Sequence, residues 1–315
     1  MRSVWRIMAI VAAIASVGAT SAFAQHFDVL IVSQGGKLVT GGYDDSNNTK
    51  VAPLRVFEGE VISDGAPGGP ASSGARYIAE NPGEPGFRAV SQTDLDDTGD
   101  TGSPNFIPNM DPPGVYTQLP TSTVLSFDFL PMTIGANTRN LFYWDGTGAV
   151  DFNPVASSYE LSLRKFAGSS GAPAFVKVID GDDAALVVGN PIQTSGATIG
   201  DVHTHLFTEL DVDSGGPLNP AQGFYLYSLQ MRMPGLTTSD PAFFVFGAID
   251  PGSFADNGAF NMFLEDEFEP AHEAAVEWVA ANLVPEPSSL ALAGMSLFGL
   301  MGFNRRWRSK SRNGD

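Results

Sequence analysis

From Phe27 to Ile249 the chain is cut into short runs of β-branched and aromatic residues, with glycine, proline and aspartate between them. Such punctuation leaves little room for long helices and favours short strands closed by turns. The runs are Phe27–Val32, Leu38–Thr40, Arg55–Ile62, Val124–Leu130, Leu141–Trp144, Tyr159–Phe166, Phe175–Ile179, Ala185–Val188, Val202–Leu210, Phe224–Met233 and Phe243–Ile249. In Tyr159-Glu160-Leu161-Ser162-Leu163-Arg164-Lys165-Phe166, apolar and polar residues alternate, the period of a half-buried strand. The predicted fold is all-β, an antiparallel β-sandwich or a jelly-roll-like barrel.

Two stretches depart from this pattern. Residues 63–120 are dense in Gly, Pro, Asp and Ser and have little periodicity, so they read as long loops. Pro270–Asn282 is predicted as one C-terminal helix, with Pro270 in its first turn. The region 25–283 is long enough to bury one sizeable core and is predicted as a single β-sandwich domain.

The two ends read as targeting segments. Residues 1–24 have a positive start at Arg2 and Arg6, an apolar run from Ile7 to Val17, and the small-residue site Ala22-Phe23-Ala24. This is the pattern of a signal peptide that signal peptidase removes. Residues 284–315 begin Val284-Pro285-Glu286-Pro287, continue as the apolar run Leu290–Phe303, and end in Arg305-Arg306-Trp307-Arg308-Ser309-Lys310. The run is short for a transmembrane helix, and with snorkelling basic residues it would serve as a membrane-helix tail. The positive-inside rule keeps the basic cluster cytoplasmic and the domain outside.

Pro285-Glu286-Pro287, the short apolar run and the cluster led by Arg305 and Arg306 resemble the PEP-CTERM sorting signal of bacterial envelope proteins. The resemblance implies a transient anchor, recognition by an exosortase, and delivery to the cell surface or extracellular matrix. It covers the tail alone and concerns destination. A second set of blocks lies along most of the mature chain: His26-Phe27-Asp28, Lys37-Leu38-Val39-Thr40-Gly41, Glu84-Pro85-Gly86-Phe87, Trp144-Asp145-Gly146, His203-Thr204-His205 and Ser239-Asp240-Pro241. These resemble uncharacterised exported proteins of planctomycete-type bacteria with the same tail, a family that implies no activity.

Charge and cysteine content exclude several functions. Of 17 basic residues, two lie in the first segment and five in the last, leaving 10 between; 33 of the 35 acidic residues lie there too. The domain therefore carries about -23, which repels nucleic acid and anionic lipid and tolerates cations. There is no cysteine, so disulfides, thiolate metal sites and thiol catalysis are excluded.

The chain has four histidines. On a strand, the spacing of His203 and His205 puts both imidazoles on one face, where two neutral rings can take Zn or Cu if a third ligand joins. His26, Glu209 and Asp201 are candidates for that third place; the alternative is a half-exposed polar pair. Asp-rich stretches at Asp94–Asp100, Asp180–Asp183 and Asp211–Asp213 offer oxygen ligands for Ca, or are solvated turns. Asp213-Ser214-Gly215-Gly216-Pro217-Leu218 resembles the surroundings of a serine-protease nucleophile. It lacks the histidine context and bracing cysteines, so a turn between strands is the better reading. Tyr143 and Trp144 beside Asp145-Gly146 are either a sugar-stacking pair or core plus turn.

These residues predict an exported, exosortase-sorted envelope or matrix protein with a non-enzymatic binding or structural role, extracellular polysaccharide being one partner to consider. Metal binding through His203 and His205 is the alternative, and a secreted glycan-acting hydrolase the second. The hydrolase needs a pocket that gathers two carboxylates, or a histidine and a nucleophile.

Overall fold

The computed structural model describes residues 27–44, 49–62, 76–78, 85–96, 115–166, 173–212 and 220–284. Residues 1–24, read above as a signal peptide, His26, Pro285-Glu286-Pro287, Leu290–Phe303 and the basic cluster with Arg305 and Arg306 lie outside them. Contacts divide the chain into a unit Met1–Glu277 and a unit Trp278–Asp315. Among the described residues, no helix is long and apolar enough to cross a membrane.

The first unit begins with the hairpin β1 (Asp28–Gln34) and β2 (Lys37–Asp44), followed by β3 (Thr49–Val51) and β4 (Val56–Ile62). Short strands β5 (Arg76–Ile78) and β6 (Phe87–Ala89) and a one-turn helix α1 (Gln92–Asp96) come next. β7 (Val124–Phe129), β8 (Met132–Ile134), β9 (Asn137–Arg139), β10 (Phe142–Trp144) and β11 (Asn153–Pro154) precede β12 (Tyr159–Phe166) and β13 (Pro173–Asp180). β14 (Val187–Thr194), β15 (Val202–Thr204) and β16 (Phe207–Val212) lead to β17 (Gly223–Arg232) and β18 (Ala242–Ile249). A helical stretch follows: α2 (Asn257–Phe263), a π-turn at Leu264–Phe268, and α3 (Glu269–Leu283).

Two sheets make the body. The smaller runs β15-β6-β1-β2-β3, and the larger β11-β10-β17-β18-β4-β5-β16-β12-β13, with β7 joining β14 to β17. Val29, Ile31, Phe87 and Ala89 of the smaller sheet share one apolar core with Phe57, Phe127, Tyr227 and Phe244 of the larger. The all-β prediction holds, with antiparallel pairing dominant; β1–β6 and β4–β18 pair in parallel.

Burial explains why the two central runs do not alternate. Val29 to Val32 are all buried: Val29 and Ile31 enter the shared core, while Leu30 and Val32 join Tyr43, Val90 and Tyr116 on the other face. β18 is buried along its whole length. One face carries Phe244 and Phe246 into the shared core. On the other, the π-turn brings Phe268 down against Gly247, where a Cβ would lie 2.0 Å from Phe268 Cζ. Only glycine permits that approach. His272, in the first turns of α3, is buried and places Nε2 2.9 Å from the Val245 carbonyl.

The structure corrects three expectations. Residues 63–120 are not loop throughout: β5 joins the larger sheet, β6 the smaller, and Thr117 bridges Ser33. Strands this short carry no period of their own and are held by their neighbours. The strand begun near Ala185 continues through Gly189-Asn190-Pro191, a turn signal by composition. The register of β14 shifts on either side of Pro191, which accommodates the proline, and the Gly189 N–H donates to Asp128 Oδ1 at 3.0 Å. Val202–Leu210 is two strands belonging to different sheets, with the chain crossing at His205-Leu206. Leu206 is buried in the shared core and anchors that crossing.

Candidate functional site

The sheet crossing after β15 carries the histidine pair. β15 pairs antiparallel with β6, setting His203 opposite Arg88 and Thr204 opposite Phe87. Val202 points into the shared core, so alternation turns His203 outward. His205 follows the strand by one residue. His203 is exposed and His205 half-buried, and their Nε2 atoms stand 3.2 Å apart. The ring planes are inclined by 59°. The expected convergence of the imidazoles is therefore present, although it is built at a strand end rather than within a longer strand.

Gly86 sets the back wall. A Cβ there would come within 2.7 Å of both His205 Cε1 and Asp28 Oδ1, so the ring and the carboxylate close over a bare backbone. The Gly86 N–H donates to Asp28 Oδ1 at 2.7 Å. His205 Nδ1 is buried with no hydrogen-bond partner among the described residues. Whichever tautomer His205 takes, this ring nitrogen stays unserved among the described residues.

The third-ligand candidates fare differently. Glu209 is buried in β16, and its carboxylate is bonded to the Arg164 guanidinium, so it is committed elsewhere. Asp201 ends a turn whose other side is Gly196: the Gly196 N–H donates to the Asp201 carbonyl at 2.9 Å. His26 lies outside the described residues. Among the described residues, no group of three or more His, Asp or Glu side chains is placed to share a metal ion.

The remaining candidates, where they are described, are engaged within the fold. Asp94 and Asp96 sit on α1; Asp94 accepts from Ser91 Oγ at 2.6 Å and Asp96 from Gln92 Nε2 at 3.1 Å. Asp183 Oδ2 accepts from the Asp180 N–H at 3.0 Å, closing the turn before β14. Asp211 is the last residue but one of β16 in the larger sheet, and Asp213–Leu218 lie outside the described residues. Trp144 is buried and stacked on Phe224 at 5.4 Å, with Nε1 donating to the Thr147 carbonyl at 3.2 Å. The Tyr143 hydroxyl donates to the Gln222 carbonyl at 2.6 Å. Burial, with Asp145 nearby, pushes that hydroxyl's pKa up to about 12. The pair is thus core plus turn.

Sequence reasoning missed one feature. A cavity of about 280 Å³ opens beside the Asp145-Gly146-Thr147 turn, between the start of β17 and the helical stretch. Its walls come from residues more than a hundred positions apart, and the only local signal was the Trp144-Asp145-Gly146 block.

The comparisons with known proteins speak to the tail. A model of the PEP-CTERM protein-sorting motif matches residues 283–306. The chain carries that sorting motif. The match covers Pro285, Glu286, Pro287, Arg305 and Arg306, and it marks an exported, surface-sorted protein processed by an exosortase. No curated protein and no solved structure matches the chain.

Proposed function

We propose that the PEP-CTERM protein is a non-enzymatic binding protein of the cell surface or extracellular matrix, and that its β domain binds a divalent transition-metal ion through His203 and His205. The observation that carries this reading is the 3.2 Å between the two Nε2 atoms. Tetrahedral Zn at about 2.05 Å from each nitrogen needs the two nitrogens about 3.3 Å apart. The pair is already at chelating separation on an accessible edge, in a domain whose negative charge concentrates cations. His26, two positions before Asp28, and solvent are the candidate sources of further ligands.

The test is a Zn²⁺ and Cu²⁺ titration of the purified protein by calorimetry and thermal melting. Saturable binding near one equivalent with a raised melting temperature is expected, with loss of both in His203→Ala. Binding should weaken as pH falls, because protons compete for the same nitrogen lone pairs. An unchanged melting temperature on Zn²⁺ and Cu²⁺ addition overturns the metal reading. The tail is proposed to be a temporary hold that ends when exosortase cuts near Pro285-Glu286-Pro287. A variant lacking Leu290–Asp315 should be lost to the medium or mis-sorted; unchanged surface retention refutes this.

A further inference from the structure

The cavity beside the Asp145-Gly146-Thr147 turn is built from two chemistries. Its floor is apolar: Phe224 and Phe268 are buried and stacked with ring centroids 5.0 Å apart. Its side wall is formed by Phe254 and Phe263, half-buried and 4.8 Å apart. Its rim is acidic, with Asp145 and Glu267 both exposed at the opening. Among the described residues that line it, none is lysine, arginine or histidine.

We propose that this cavity binds a small organic ammonium ion. Phe224 and Phe268 spend ring faces on each other and on Trp144, so the half-buried Phe254 and Phe263 are the rings that can meet a ligand; ring quadrupoles attract a desolvated cation, and ammonium groups with apolar substituents are the ligands that use this most fully. Asp145 and Glu267 supply the opposing charge, and about 280 Å³ suits a ligand of a few heavy atoms. The Asp145 carboxyl lies below its ordinary value because the Thr147 N–H and hydroxyl donate to it, at 2.9 and 2.8 Å, so it keeps its charge in mildly acid solution.

The neutral polar groups argue against a sugar. A sugar needs free, fixed donors and acceptors, and those at this rim are engaged with each other. Thr147 Oγ1 is spent on Asp145. Gln222 accepts from the Asp250 N–H at 3.2 Å and donates to Ser253 Oγ at 3.3 Å, while Ser253 Oγ donates to the Asp250 carbonyl at 2.7 Å. Two carboxylates on one pocket are also the minimum for glycoside hydrolysis, but a general acid needs a carboxyl raised by an apolar pocket, and both of these face solvent.

The experiment is a titration of the purified protein, followed by NMR or calorimetry, with choline, with its uncharged carbon isostere 3,3-dimethylbutan-1-ol, and with glucose. Choline is expected to saturate at low salt and to weaken as salt rises. The isostere should bind at least about ten-fold more weakly, since it lacks the cation that the rings and carboxylates recognise. Asp145→Asn with Glu267→Gln keeps the shapes and the Thr147 bonds, and should weaken choline several-fold while leaving the isostere unchanged. Ala271→Trp, which fills the cavity, should abolish binding. His203→Ala should leave choline binding intact, because the site is independent of the histidine pair. Equal binding of choline and its isostere, preferred binding or turnover of a sugar, or no saturation by choline at tens of millimolar each overturns the proposal.

Discussion

At the centre of the larger sheet, Phe244 is 1 % exposed, stacked on Tyr227 at 5.1 Å and on Phe57 at 5.4 Å. Nearby, Asp128 answers both Arg232 Nε and the Gly189 N–H at 3.0 Å. At the corner after β15, His203 is exposed and His205 Nδ1 is buried without a partner among the described residues. The first region uses its rings and polar groups to hold the sheet together. The second holds its two Nε2 atoms 3.2 Å apart, in a hydrogen bond with each other that a metal ion could replace, where the chain changes sheets. Polar groups satisfied internally hold the fold together, while a well-placed buried group left unserved is where a ligand would be accommodated.

Substitutions test that difference on stability, and the centre should suffer most. Phe244→Ala removes a ring packed between two others and leaves a cavity at the middle of the shared core. Denaturant unfolding should show a loss of about 3–5 kcal/mol. A loss under about 1 kcal/mol would mean that the centre yields as easily as an edge.

Asp128→Ala comes second. It strands a buried N–H at Gly189 and leaves Arg232 without its carboxylate, at a cost of about 2 kcal/mol by the same measurement. Asp128→Asn keeps an acceptor for Gly189 and should cost less, because the Arg232 side chain is 39 % exposed and its ion pair is screened. Equal losses in the two variants would mean that the charge, rather than the acceptor, holds β7 to β14.

A pH scan adds a milder effect. The Tyr143 hydroxyl has its pKa raised from 10.0 to about 12, so the folded state keeps the proton that the unfolded chain gives up. Tyr143 therefore supports the fold fully below about pH 10, and that support fades as pH rises towards 12. Tyr143→Phe should flatten this part of the stability profile, and the tyrosinate absorbance that the substitution removes from the native protein should be a step near 12.

The sequence was most legible where the two faces of a strand differ in polarity, even though Ser162 on the polar face of β12 is itself buried. Along β12, alternation placed Leu161 and Leu163 in the core and Ser162 on the other face. The centre was legible only as apolar runs, since β18 is covered on both faces and its period vanishes. Pairing was not legible: β5 and β6 are three residues each, and nothing local tells Phe87-Arg88-Ala89 to lie parallel to β1. The histidine pair could be read because spacing of two survives at a strand end. The break behind it at His205-Leu206 could not, because the core contact of Leu206 depends on both sheets. The aromatic cavity was hidden for the same reason, as Phe224 and Phe268 meet only after β17 and the helical stretch fold together.

The smallest expected effect on stability is also the one that separates the two regions most cleanly. His203 is exposed, and its ring touches His205 rather than the core, so His203→Ala should change unfolding by no more than about 0.5 kcal/mol while eliminating the metal-dependent rise in melting temperature. Gly86→Ala supplies the complementary case. Its new Cβ would fall within 2.7 Å of His205 Cε1 and Asp28 Oδ1, so the ring must move even though both histidines remain. Metal affinity should drop in Gly86→Ala as well, with the imidazole NMR signals of His205 shifted in the metal-free protein. If Gly86→Ala binds Zn²⁺ as tightly as the parent, the back wall is irrelevant and the site is simply two flexible surface histidines. If it loses binding while His203→Ala does not, the chelating pair is the wrong pair, and the ligand set must be sought around Asp28 and His205 instead.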